Sequence, residues 1–231
     1  DVNKGYWKWQ RPNLFGTTED LYTQTIVIPY LLPMLENAGA VVISPRERDW
    51  QKQEVIVDND NPRANGKATY QEVNNKKKWG AAIGSGFAFH QGTYADSENP
   101  FVAGSARQIK SRKRNSKLSH ISYQPIIPED GNYAVYVSYK TVKKSIDDAE
   151  YIVFHKGQET RFHVNQQMGG GTWVYLGTFA FDKGCNIYNR VVLTNRSKHR
   201  GFVTADAVRF GGGMGNIVRG GQVSGLPRTL E

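Results

Sequence analysis

At 231 residues and a formal net charge of +9, the chain is long enough to bury a core without covalent staples, and its basic balance favours acidic partners. A single cysteine, Cys185, excludes an intramolecular disulfide and a cysteine-based zinc site. No apolar run reaches the length of a membrane-spanning helix, and abundant Gly and aromatic residues weight the composition toward β structure.

In chain order, Leu21, Ile28, Leu31, Leu32 and Leu35 recur at helical spacing, and Thr17 with Asp20 reads as a cap, so a helix is predicted from Thr17 to Asn37, ended by Gly39. Pro29 and Pro33 should kink or split it, because each removes a backbone donor. Ala40 to Ser44, a continuous apolar run closed by Pro45, reads as a buried parallel strand. Together these make an α/β segment, assigned to residues 1–62. Beyond Asp58-Asn59-Asp60-Asn61-Pro62 the pattern turns to short alternating runs punctuated by Gly, Asn and Asp, which sets a domain boundary there.

Strands are then predicted at Tyr133 to Tyr139, Tyr151 to Lys156, Glu159 to Asn165, Trp173 to Asp182, Ile187 to Thr194 and Phe202 to Phe210. With no helix between them, they imply an antiparallel β-sandwich over 63–210, with Tyr133–Tyr139 and Trp173–Asp182 internal and Val135 and Leu176 buried. Alternation puts Tyr175, Phe179 and Phe181 on one face of the Trp173 strand and Val174, Leu176 and Ala180 on the other. A hairpin turning at Gly157-Gln158 would set His155 opposite Thr160. His155 then shares a face with Val153 and Phe162, and His163 lies on the other with Arg161 and Phe154, so the two histidines cannot share a metal. Residues 211–231 read as a Gly-rich linker returning to the α/β segment.

Tyr133-Ala134-Val135-Tyr136-Val137-Ser138-Tyr139, Asn165-Gln166-Gln167, Gly171-Thr172-Trp173, Leu176-Gly177-Thr178-Phe179 and Ala205-Asp206-Ala207-Val208-Arg209-Phe210, in that order, resemble the golvesin C-terminal-like domain of xanthan lyases and related exported proteins. The resemblance implies a mainly β, jelly-roll-like sandwich of the carbohydrate-binding type. The segment from about residue 14 to 49 is similar to part of the zinc-dependent N-acetylmuramoyl-L-alanine amidase fold, which puts Glu19 where that family has a metal-ligand carboxylate. The family's histidines have no counterpart here, so the site is incomplete; a carboxylate favouring the helix N-terminus is the alternative for Glu19.

Catalytic chemistry finds little purchase. Gly84-Ser85-Gly86 lacks the spacing of a nucleophile elbow, and Gly169–Gly171 and Gly211–Gly213 lack phosphate-loop spacing and read as turns. His90, His120 and His199 stand isolated in sequence, and no catalytic residue and no cofactor are assigned.

Sugar recognition needs an aromatic ring against a pyranose face with polar groups around it. Phe89 and Tyr94, in a Gly-rich stretch with Phe87 and Phe101, are candidate ring contacts. Lys110, Arg112, Lys113 and Arg114 are candidate charge contacts, with further basic clusters at Lys76–Lys78 and Lys143-Lys144. The expected role is a non-catalytic carbohydrate-binding module of a secreted, periplasmic or cell-surface protein. Its expected partners are a polysaccharide, which the charge suggests is anionic, and the rest of a longer polypeptide. The alternative is a fragment of a xanthan lyase or zinc amidase whose catalytic residues lie outside Asp1–Glu231. Nucleic acid is raised only by net charge and has no motif to support it.

Overall fold

The computed structural model describes residues 26–40, 51, 53–61, 63–64, 67–89 and 99–212. The chain divides into two compact units, the larger comprising Val55–His90 and Pro100–Phe210.

That larger unit is a β-sandwich. Its strands are β1 (Glu54–Asp58), β2 (Arg63–Ala64), β3 (Lys67–Ala68), β4 (Tyr70–Val73), β5 (Gly80–Gly86), β6 (Gly104–Lys110), β7 (His120–Tyr123), β8 (Gly131–Val137), β9 (Ala149–His155), β10 (Gln158–Val164), β11 (Val174–Phe181), β12 (Arg190–Thr194), β13 (Phe202–Ala205) and β14 (Ala207–Gly211). One layer is the five-stranded antiparallel sheet β10-β9-β12-β7-β4. Opposite it lie the four-stranded sheet β1-β14-β8-β11 and the three-stranded sheet β13-β6-β5. These two are joined because β13 runs into β14 through Asp206 alone. β2 and β3 form a separate two-residue ladder.

Alternation explains the core. Tyr133, Val135 and Val137 of β8, Tyr151 and Val153 of β9, Val191 and Leu193 of β12 and Val208 and Phe210 of β14 all point into one buried cluster. Val135 is fully buried as expected; Leu176 is only partly buried, packed on the edge of that cluster. The reason is that β11 is the edge strand of its sheet and not internal. A register shift between Tyr175 and Gly177 also reverses the expected facing. Val174, Leu176, Phe179 and Phe181 all pack on the core, while Tyr175 lies against Tyr136 on the outer face.

The β9–β10 hairpin also corrects the expected register. Lys156 and Gly157, both at positive φ, make a two-residue turn that sets His155 opposite Gln158. The slip is two residues, so the faces survive: Val153 pairs with Thr160, and Tyr151 with Phe162. His155 still reaches Thr160 diagonally, at 2.9 Å between Nε2 and Oγ1.

Two further differences concern boundaries and aromatics. β1 precedes the boundary drawn at residue 62, yet its Val57 belongs to the core. Phe87 and Phe101, of the same Gly-rich stretch as Phe89, are buried against Trp173, with ring centroids 4.9 and 5.5 Å from it. This second cluster covers the outer face of the four-stranded sheet, where the Arg209 guanidinium lies 3.9 Å from the Tyr136 ring centroid.

Where β5 meets β6, a Cβ at Gly104 would stand 2.0 Å from the Phe87 carbonyl oxygen. Gly104→Ala is therefore expected to destabilise the sandwich by about 1–3 kcal/mol, as overpacking against backbone does. A thermal melt checks this: an unchanged midpoint would mean that the two strands separate freely.

In the smaller unit, a π-turn over Val27–Leu31, closed by the Leu32 N–H to the Val27 carbonyl, leads into an α-helix over Leu32–Asn37. The π-turn contains Pro29, which is the split expected from the missing backbone donor. The predicted helix start at Thr17, Glu19 and the strand after Ala40 lie outside the described residues.

Candidate carbohydrate-binding end

The strands of the sandwich bring four loops to one end, those around residues 74–78, 110–118, 141–148 and 195–201. Small polar side chains, Asn195 and Ser119 of them buried, knit them together. The Asn195 side chain accepts from the Ser119 N–H at 3.0 Å and donates to the Lys110 carbonyl at 3.2 Å, while its own carbonyl accepts from the Arg112 N–H at 2.8 Å. The Ser119 hydroxyl donates to the Lys77 carbonyl and accepts from the Asn75 N–H at 2.9 Å. The Ser111 hydroxyl donates to the His199 carbonyl at 2.8 Å and accepts from the Gly201 N–H at 2.9 Å. The Phe202 N–H closes the set on the Lys144 carbonyl at 2.9 Å.

Beside these loops the chain from Asn165 to Gly171 makes a fifth. Gln166, fully buried, replaces a strand residue: its Oε1 accepts from the Thr204 N–H at 2.9 Å, and its Nε2 donates to the Thr204 carbonyl at 2.8 Å. The Thr141 hydroxyl donates to the Gln166 carbonyl at 3.0 Å, so the fifth loop adjoins the one carrying Lys143 and Lys144. Tyr139 lies beneath it, donating its O–H to the Met168 carbonyl at 2.7 Å. Between this loop and the open edges of β10 and β11 is a groove of roughly 430 Å³, lined by Tyr139, Phe162, His163, Asn165, Met168 and Tyr175 among others. Met168 is exposed there, and Tyr175, on its rim, is exposed with its ring turned to the outer face against Tyr136. An exposed phenol ring with an amide and an imidazole nearby has the chemistry to stack on a pyranose and bond its hydroxyls.

Of the sequence-predicted site residues, Lys110, Lys113 and Arg114 are exposed on the second loop, and Arg112 is half-buried with its Nε donating to the Ser116 carbonyl at 2.8 Å. Phe89 is exposed, but it follows Phe87 and Gly86, which pairs with Gly104 at the far end of β6 from Lys110. Seven strand residues, roughly 20 Å, separate the two ends. The structure thus does not bring Phe89 to the cations. Tyr94 and His90 lie outside the described residues, as does Glu19. Sequence reasoning did not single out Met168, Asn165 or His163 for this groove; the signals there were the Asn165-Gln166-Gln167 motif and the turn at Gly169–Gly171.

His199, isolated in sequence, lies 3.8 Å from Asp147, and these two with Asp148 put ligand-type atoms within 4.8 Å of one another. Asp148 is already engaged by the Ser197 hydroxyl and the Lys198 N–H.

Elsewhere, two aspartates are deeply buried. Asp206, at the β13–β14 break, accepts from the Phe87 N–H at 3.0 Å and from the Ser138 hydroxyl at 3.4 Å. Burial pushes its carboxyl up to about 8, with the neighbouring Asp58 and Asp60 adding like charge. Burial likewise pushes Asp58 up to about 7.

Among the described residues, no helix is long and apolar enough to cross a membrane.

Residues 84–212 match the golvesin C-terminal domain family. Over 92 residues the chain is 33% identical to a xanthan lyase of Bacillus sp. (strain GL1), covering 39% of this chain and 10% of that one. The solved xanthan lyase of Paenibacillus is similar over 69% of this chain and 13% of its own, at 24% identity and a TM-score of 0.49. The C-terminal CBM6 of LamC from Zobellia galactanivorans is similar over 69% of this chain and 99% of its own, at 12% identity and a TM-score of 0.36. The chain spans only about a tenth of the length of the xanthan lyases it matches. The family match takes in β6 to β14, including the Asp206 break and the Gln166 loop, and covers more than half of the sequence; the chain belongs to the golvesin C-terminal domain family.

Proposed function

We propose that this chain is a non-catalytic carbohydrate-binding module of an exported polysaccharide- or cell-wall-acting protein. It holds a glycan at the loop-bearing end of the sandwich and performs no turnover of its own. The observation that carries the reading is the groove beside Tyr139, where Met168 and Tyr175 remain exposed next to Asn165 and His163 on a loop fixed by hydrogen bonds. An aromatic contact held on a rigid support loses little conformational freedom on binding. Lys110, Arg112, Lys113 and Arg114 favour an anionic polysaccharide. The ring contacts first read at Phe89 and Tyr94 are replaced in this proposal by Tyr175. Apart from β1, whose Val57 belongs to the sandwich core, residues 1–62 and 211–231 are proposed to belong to an amidase-like α/β segment of a longer polypeptide, with Glu19 in the carboxylate position.

Calorimetry with xanthan, polygalacturonate and a neutral β-glucan tests this. Binding to at least one of them is expected, and Tyr175→Ala should weaken it about tenfold through loss of the stacking ring. Absence of binding to all three at low salt would leave the sandwich as a spacer. Release of unsaturated sugars or of muramoyl-peptide fragments by the isolated chain would favour the second reading, a piece of a lyase or amidase.

A further inference from the structure

The four hydrogen-bonded loops hold 13 of the chain's 30 lysines and arginines and only two of its 21 acidic residues, so the rest of the chain is slightly acidic. Three clusters that are about 30 residues apart in sequence, Lys76–Lys78, Lys110–Arg114 and Lys143-Lys144, therefore sit on one end of the fold. Among the described residues, none of Lys76, Lys77, Lys78, Lys110, Lys113 and Arg114 is in an ion pair; Arg196, by contrast, is engaged by the buried Glu150 at 3.0 Å. The loops cannot spread to relieve the repulsion, because Asn195, Ser119 and Ser111 tie their backbones together. An assembly of exposed like charges held close by polar bonds costs stability and is offset when an anion covers it.

We infer that this end is one multivalent anion-binding surface. On it an acidic polysaccharide is held by several of its charged groups at once, with Lys76–Lys78 and Lys143-Lys144 contributing as fully as Lys110–Arg114. The inference rests on the carbohydrate reading above and adds the extent of the ligand's footprint and its multivalent attachment. Single exposed ion pairs are weak, but a polyanion spanning several of them releases a counterion at each, so affinity and salt dependence rise together with the number of contacts. A polysaccharide fits better than nucleic acid. Among the described residues the four loops carry no exposed Phe, Tyr or Trp ring, whereas single-stranded nucleic acid is held by stacking platforms interleaved with the cations.

The test is calorimetric titration of the full chain with polygalacturonate, a neutral β-glucan and a single-stranded oligonucleotide, over a series of salt concentrations. Three variants are compared: K76Q/K77Q/K78Q, K143Q/K144Q, and a control, K156Q/K183Q, at the opposite end of β9 and β11. Melting temperatures confirm that each is folded. Each loop variant is expected to lose about tenfold in polygalacturonate affinity at low salt and to flatten the dependence of log K on log salt, while the control changes by less than about twofold. Wild-type affinity and slope in the K76Q/K77Q/K78Q protein would overturn the composite surface, as would tighter binding to the oligonucleotide than to polygalacturonate. Salt-independent glycan binding would also overturn it while leaving the carbohydrate module standing. Failure to bind either glycan would bring down both.

Discussion

Phe181→Ala is expected to lower the unfolding free energy by about 3–5 kcal/mol, the largest effect of any single truncation considered, through lost transfer energy and the cavity left behind. Phe181 is fully buried, and its ring meets Phe210 edge-on at 5.5 Å and Tyr133 at 6.1 Å between centroids. Those three rings come from β11, β14 and β8, so the side chain pins an edge strand to the two strands inside it. Val135→Ala removes less volume at an equally closed site and should cost about 1–3 kcal/mol. Leu176→Ala, at a partly buried position, should cost less again. Urea unfolding of the three variants, with the denaturant slope unchanged, gives the ranking. A loss below about 1 kcal/mol for Phe181→Ala would mean that the edge strand is not part of the cooperative core.

A second large effect is expected from pH, with a sign opposite to that of most proteins. Asp58 and Asp206 are buried carboxyls raised to about 7 and about 8, far above the range of an unfolded aspartate. Folding therefore takes up protons at both. Their contribution to stability is fully present below about pH 4, erodes as pH rises, and is lost above about pH 8. His120 and His155, lowered by burial, act in the other direction but only below about pH 6.5, where an unfolded imidazole charges. Between pH 6.5 and 9 the acids act alone among these groups, and stability should fall by an amount on the order of 3 kcal/mol. Asp206→Asn, which keeps an acceptor for the Phe87 N–H, should flatten that slope. Denaturant midpoints in chelator-treated buffer across this range decide it: a flat or rising profile for the wild-type chain would show that the two carboxyls are ionised in the fold.

Much of the sandwich was legible because alternation is a local signal. Tyr133, Val135 and Val137 declared their face, and a hairpin register wrong by two residues still put His155 with Val153 and Phe162 on one face and His163 on the other. The Trp173 strand was misread because one extra residue near Leu176 reverses every later side chain, and a bulge leaves no mark in composition. The cations were visible as separate clusters, but their meeting depends on Asn195, Ser119 and Ser111, polar residues that look like ordinary loop members in sequence. Phe89 misled in the opposite way: it lies near Lys110 in sequence, and β6 carries them apart. Asp58 and Asp206 gave no warning, since burial of a carboxyl is decided by what folds over it.

The strand order also sets when the protein can fold. β1 occupies the outer position of its sheet beside β14, some 150 residues later in the chain, and β8 finds one of its two partners only when Val208 to Phe210 arrive. During synthesis the earlier strands must wait, their edges open, until nearly the whole sandwich has left the ribosome. Pairings this distant close slowly, on the millisecond-to-second scale of all-β topologies, and leave a window in which unpaired edges can join other chains. For a module whose last strand completes the layer facing the five-stranded sheet, truncation before Ala207 would produce no partial domain, only an aggregation-prone precursor.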